Sequence, residues 1–66
     1  MEQSMGQKIR ERRKSMKMSQ EDLAKKSNIS RARLSAIENG KNRDILVSTL
    51  TTIAYALDTT VENFLA

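Results

Sequence analysis

Ser19 to Gly40 (SQEDLAKKSNISRARLSAIENG) constrains this chain more than any other stretch, because it holds two short helical patterns together with the signals that start and stop them. Ser19 caps a helix over about residues 20–27, whose opening Glu21 and Asp22 suit the positive end of a helix dipole and whose Leu23 and Ala24 face inward. Asn28 breaks the pattern: it tolerates a left-handed backbone better than most residues with a Cβ, so it reverses the chain, and Ile29 plugs the space beneath the turn. Ser30 caps a second helix over about residues 30–39. In it Leu34 and Ile37 repeat at three-residue spacing, Arg31, Arg33 and Ser35 point elsewhere, and Gly40 is the stop. The stretch therefore reads as helix, tight turn, helix.

The absence of proline and the presence of only two glycines favour helix through the rest of the 66 residues. A single domain of this size buries only roughly 60 % of its unfolded surface, so dimerisation would add stability it needs. With no cysteine and no histidine, there is neither a disulfide framework nor a zinc site of the usual kinds, and packing alone must hold the chain together. No metal and no cofactor are expected. The composition suits a reducing compartment, and no apolar run approaches a membrane span or a signal-peptide core. The expectation is a soluble, unprocessed, cytoplasmic, nucleoid-associated protein with no membrane partner.

Charge is segregated along the chain. All twelve Lys and Arg lie at or before Arg43: residues 1–17 carry six basic against two acidic side chains, residues 18–44 six against four, and residues 45–66 none against two. Basic residues often do no more than solvate a helical surface. Segregation this complete instead assigns one end of the molecule to polyanions.

Met1 to Ser4 offer nothing that can pack and are expected to be disordered. Met5, Ile9 and Met16 share one face of a first helix over about residues 6–16, with the methionines as flexible core filler. Lys8, Arg12, Lys14 and Lys17 form its basic face, suited either to solvent or to phosphates, while Arg10 and Arg13 have the alternative of pairing with acidic residues of later helices. Lys41, Asn42 and Arg43 follow the second helix of the central pair. Ile45, Leu46 and Val47 form an apolar run that either plugs the core or lies at a self-association surface, and partial burial is the expectation. Ser48 or Thr49 caps a fourth helix with a regular stripe of Leu50, Ile53, Ala54 and Leu57. Asp58 ends it, and Thr60 caps a short last helix with Val61, Phe64 and Leu65 on one edge. Phe64 is expected either to close the core or to meet a partner.

Catalysis finds no nucleophile–base pair, no phosphate-cradling loop and no paired carboxylates at a useful spacing, so the chain reads as a non-enzyme without catalytic residues. DNA recognition needs side chains on one exposed helix face that reach base edges, and neighbours that hold phosphates. The second helix of the central pair offers both. Arg31 can make a bidentate pair with guanine, a contact worth roughly 1–3 kcal/mol of discrimination, Ala32 can lie against a thymine methyl, and Ser30 and Ser35 add adaptable contacts. Gln20 can present its amide and backbone N–H to a phosphate at a helix N-terminus. Arg33, Asn39, Lys41 and Arg43 are the remaining phosphate candidates. The competing reading is a small basic helical module that binds RNA or an acidic surface without sequence preference.

Gln20, Ala24, Ile29, Leu34 and Ile37, followed by Glu38-Asn39-Gly40 and by Leu50, Ile53, Ala54 and Leu57, resemble the helix-turn-helix signature of the phage-repressor or Cro-like (XRE) family. The similarity runs over about residues 5–65 and extends to short members such as controller proteins of restriction-modification systems. The resemblance implies an all-α, five-helix, lambda-repressor-like DNA-binding domain over residues 1–66, with its helix-turn-helix at about residues 19–40. It further implies a transcription regulator that binds double-stranded DNA as a homodimer on a palindromic operator, with Ser30, Arg31, Ala32, Ser35 and Ala36 facing the bases and Arg13 bridging to Glu38. Leu46, Tyr55, Val61, Phe64 and Leu65 are the candidate dimer contacts. The chain departs from the family pattern at Asn28, where Gly is usual, at Arg12, where helix 1 is commonly apolar, and at Asp44, near a usual Pro. Ala36 is also short for a base-reading position, which places more of the specificity on Arg31.

Overall fold

The computed structural model describes residues 4–41 and 45–65. Among them are five helices and no strand: α1 (Met5–Ser15), α2 (Gln20–Ser27), α3 (Arg31–Glu38), α4 (Val47–Ala56) and α5 (Glu62–Leu65). α2 packs on α3 and α4, and α1 packs on α3 and α5. One core joins all five, built from Ile9 of α1, Leu23 and Ala24 of α2, Leu34 and Ile37 of α3, Leu50, Ile53 and Ala54 of α4, Leu57 just after it, and Phe64 of α5. Phe64 is 4 % exposed and closes the core.

The caps explain where the helices start. Ser4, expected in a disordered lead-in, is the N-cap of α1: its Oγ accepts from the Gln7 N–H at 3.2 Å while Gln7 Oε1 accepts from the Ser4 N–H at 3.0 Å. Ser19 and Asp22 form the same reciprocal box at α2, and Ser30 Oγ accepts from the Arg33 N–H at 3.0 Å to start α3. α4 departs from expectation. It begins at Val47 with Leu46 as N-cap and no capping side chain, so neither Ser48 nor Thr49 caps it. Of the run before it, Ile45 is partly buried against the core, whereas Leu46 and Val47 are 63 % and 74 % exposed.

Each of α1 to α4 ends on a left-handed residue: Lys17 (φ 57°), Asn28 (φ 57°), Gly40 (φ 73°) and Asp58 (φ 55°). In every case the next residue donates its N–H back across the last turn: Met18 to Arg13 O, Ile29 to Ala24 O, Lys41 to Ala36 O and Thr59 to Ala54 O, at 2.9–3.1 Å. This closure satisfies carbonyls that a helix end leaves without partners, and it returns the apolar Met18 and Ile29 to the core. Arg12, which sits where an apolar residue was expected, serves the same end. Its Nε and NH2 donate to Leu57 O at 3.0 Å and Asp58 O at 3.2 Å, placing a cation on the C-terminus of α4. Gly6 is required for another reason: a Cβ there would lie 2.7 Å from Glu38 O and 2.9 Å from Glu38 C, so only glycine lets α1 approach the end of α3 this closely.

Candidate nucleic-acid interface

α3 divides its residues by face. Leu34 and Ile37 are buried in the core, Arg31, Ala32 and Arg33 are exposed in its first turn, and Ser35 and Ala36 are half-buried one turn further on. Ser30, Asn39 and Lys41 are exposed at its two ends, so the described base-facing and phosphate candidates cluster on and beside one helix. Arg43 lies outside the described residues, as do Asn42 and Asp44.

What fixes this helix is Glu38, whose side chain is fully buried at its last turn. Arg13 Nε donates to Glu38 Oε2 at 2.8 Å and its NH2 donates to Oε1 at 3.0 Å, while Arg13 NH1 donates to Met18 O at 2.8 Å. Gln20 Nε2 donates to the same Oε1 at 3.1 Å, and Arg10 Nε lies 3.5 Å from it. One carboxylate thus ties α1, α2 and α3 together. Burial by itself would raise the pKa of Glu38. The hydrogen bonds from Arg13 and Gln20 and the charges of Arg13 and Arg10 outweigh it and hold the group below the ordinary glutamate value.

The network assigns partners that periodicity does not reveal. Gln20 is half-buried with its amide nitrogen turned to Glu38, which leaves its backbone N–H at the α2 N-terminus as the group best placed for a phosphate. Asn39 accepts from Arg10 NH2 at Oδ1 and donates through Nδ2 to Ser35 Oγ at 3.3 Å. Arg10, with no place among the interface candidates, therefore acts from α1 on the exposed side of α3. On the basic face of α1, Arg12 is occupied at α4 while Lys14 and Lys17 remain exposed. At α2, the backbone N–H of Ser19 and then its hydroxyl hold the Asp22 carboxyl below its ordinary pKa.

A helix pair joined by a left-handed turn, with the second helix anchored on its inner face and basic on its outer one, defines a helix-turn-helix domain. The helix-turn-helix family model matches residues 9–64, and the chain belongs to that family, in its phage-repressor and Cro-like branch. It is a DNA-binding transcription regulator. The protein is similar in structure to the SinR master regulator of biofilm formation in complex with DNA (TM-score 0.89, 29 % identity, 94 % of this chain and 98 % of that one). It is likewise similar to the restriction-modification controller protein C.AhdI from Aeromonas hydrophila (TM-score 0.86, 32 % identity, 91 % and 89 %). It also matches a chain of the SinR–SinI complex (TM-score 0.88, 30 % identity), where it covers 92 % of its own length and 59 % of the matched chain. No curated protein matches it in sequence. Among the described residues no helix is long and apolar enough to cross a membrane.

Proposed function

We propose that this protein is a sequence-specific transcription regulator that works by occupying a palindromic operator as a homodimer, with α3 of each protomer in the major groove. The observation that carries this reading is the exposure of Arg31, Ala32 and Arg33 in the first turn of a helix whose opposite face and last turn are locked into the core. Recognition helices read bases through such N-terminal residues. SinR, similar over nearly its whole matched chain, is known bound to DNA. Arg31 takes guanine, Ala32 a thymine methyl, and Ser30, Ser35 and Ala36 complete the base-facing surface. The α2 N-terminus at Gln20, together with Arg33, Asn39, Lys41 and Arg43, holds phosphates.

Exposed apolar side chains on α4 and α5 support self-association. Val47, Thr51 and Tyr55 repeat at four-residue spacing along α4, and Val47 and Tyr55, Leu46 just before the helix and Leu65 of α5 are 63–86 % exposed. Residues 45–66 contribute no Lys or Arg of their own, and Arg12, the α1 cation that reaches α4, is bound at the C-terminus of that helix to Leu57 O and Asp58 O, beyond the Val47–Tyr55 stripe.

Arg31→Ala is expected to weaken binding to a selected operator by roughly tenfold or more while changing affinity for random duplex much less. Lys41→Ala should weaken both alike and flatten the salt dependence by about one ion. Fluorescence anisotropy titrations at several salt concentrations separate the two. Equal loss on operator and random DNA for Arg31→Ala would remove its base-reading role.

A further inference from the structure

Ser35 lies one turn after Arg31 and one turn before Asn39, on a single stripe of α3, and its hydroxyl has a defined polarity. Arg10 is donor-only, so the Asn39 amide must turn Oδ1 toward it and Nδ2 toward Ser35, as observed. Asn39 thereby occupies a lone pair of Ser35 Oγ and offers its hydroxyl no acceptor. Helical hydroxyls commonly discharge their proton onto the carbonyl one turn back, as Thr51 does to Val47 O at 2.8 Å and Thr52 to Ser48 O at 2.9 Å. Among the described residues Ser35 makes no such bond. The remaining direction for its proton is outward, away from the protein.

We propose that Arg10 and Asn39 are positioning residues that make Ser35 a specificity-determining hydrogen-bond donor. At the base it meets, the protein selects an edge presenting a major-groove acceptor, guanine O6 or N7, thymine O4 or adenine N7, over cytosine, whose edge offers only the amine donor. The inference rests on α3 being the base-reading helix. It adds an internal relay from α1 that sets which base edges one side chain accepts.

The relay can be inverted without removing Ser35. In Asn39→Asp both terminal oxygens are acceptors: one stays with Arg10, the other takes the Ser35 proton, and Ser35 then presents lone pairs outward. The test is selection from random duplex DNA with the wild type, Ser35→Ala, Asn39→Asp and the double variant, each scored on relative base preference within its own selected pool. A uniform loss of affinity from the added charge then does not enter. Ser35→Ala should flatten one position per half-site by roughly two- to tenfold, the range of a single net hydrogen bond. Asn39→Asp should move that position toward cytosine, the base whose major-groove edge carries a donor and no acceptor, and the shift should vanish in the double variant. Arg10→Met should broaden the position, and Arg10→Lys, again donor-only, should restore it. A wild-type motif left unchanged by Ser35→Ala, or an Asn39→Asp motif identical to the wild type, overturns the relay and leaves the DNA-binding reading standing. A wild-type protein that enriches no sequence overturns both.

Discussion

Ser27 ends α2 with 3 % of its surface exposed, and its Oγ is the buried side-chain polar atom that finds no hydrogen-bond partner among the described residues. A buried hydroxyl without a partner loses its hydration and gains nothing in return. Ser27→Ala should therefore raise stability by about 1 kcal/mol, read as an upward shift of the urea midpoint at constant slope. A lower midpoint would mean that the hydroxyl is satisfied by solvent. Other single residues differ in how far their own chemistry announces their role. Asn28 and Gly40 were legible as helix ends because their types favour the left-handed conformation. Asp58 was legible as the end of α4 as well, since Asp also tolerates this conformation. Lys17 adopts it with an ordinary side chain, because Met18 must return to the core and the α1 carbonyls must be closed, and nothing in its immediate neighbours encodes that requirement.

Among the elements, α1 is where sequence and structure diverge most. Its apolar face was readable from Ile9, but Arg12 reaches a carbonyl 45 residues away, Arg10 reaches Asn39, and Gly6 meets the α3 backbone. Such roles depend on how helices pack, which residue spacing along one helix cannot express. The α1–α3 junction also governs the response to acid. Glu38 is held below its ordinary pKa of 4.5 in the fold, so it contributes stability that is fully present above the unfolded value and lost as pH falls through the folded one. Thermal melts should be nearly flat from neutral pH down to about pH 5 and fall below it, and the Glu38 carboxyl followed by NMR should titrate below 4.5. Asp22, lowered by its Ser19 hydrogen bonds, works in the same direction. Titration of Glu38 at or above 4.5 would mean that burial outweighs Arg13, Gln20 and Arg10.

Across the whole chain, charge is divided along the sequence: every Lys and Arg lies at or before Arg43 and residues 45–66 contribute none, although Arg12 of α1 reaches the C-terminus of α4. The five-helix plan and nearly all of the core could be read from the chain, since the stripes of α2, α3 and α4 are regular and each of those helices ends near a legible signal. The start of α4 could not, because no side chain caps it. The Arg13–Glu38 pair behind α3 was legible in the chain, whereas the links of Gln20 to Glu38 and of Arg10 to Asn39 were not. Symmetry and base reading meet in one observable, the sequence that the intact protein selects from random duplex DNA. The predicted result is a two-fold symmetric motif whose half-site centres lie about one helical turn, roughly 10 base pairs, apart, with a guanine in each half that Arg31→Ala erases. Recovery of no motif, or of an unsymmetric one indifferent to Arg31, would contradict it.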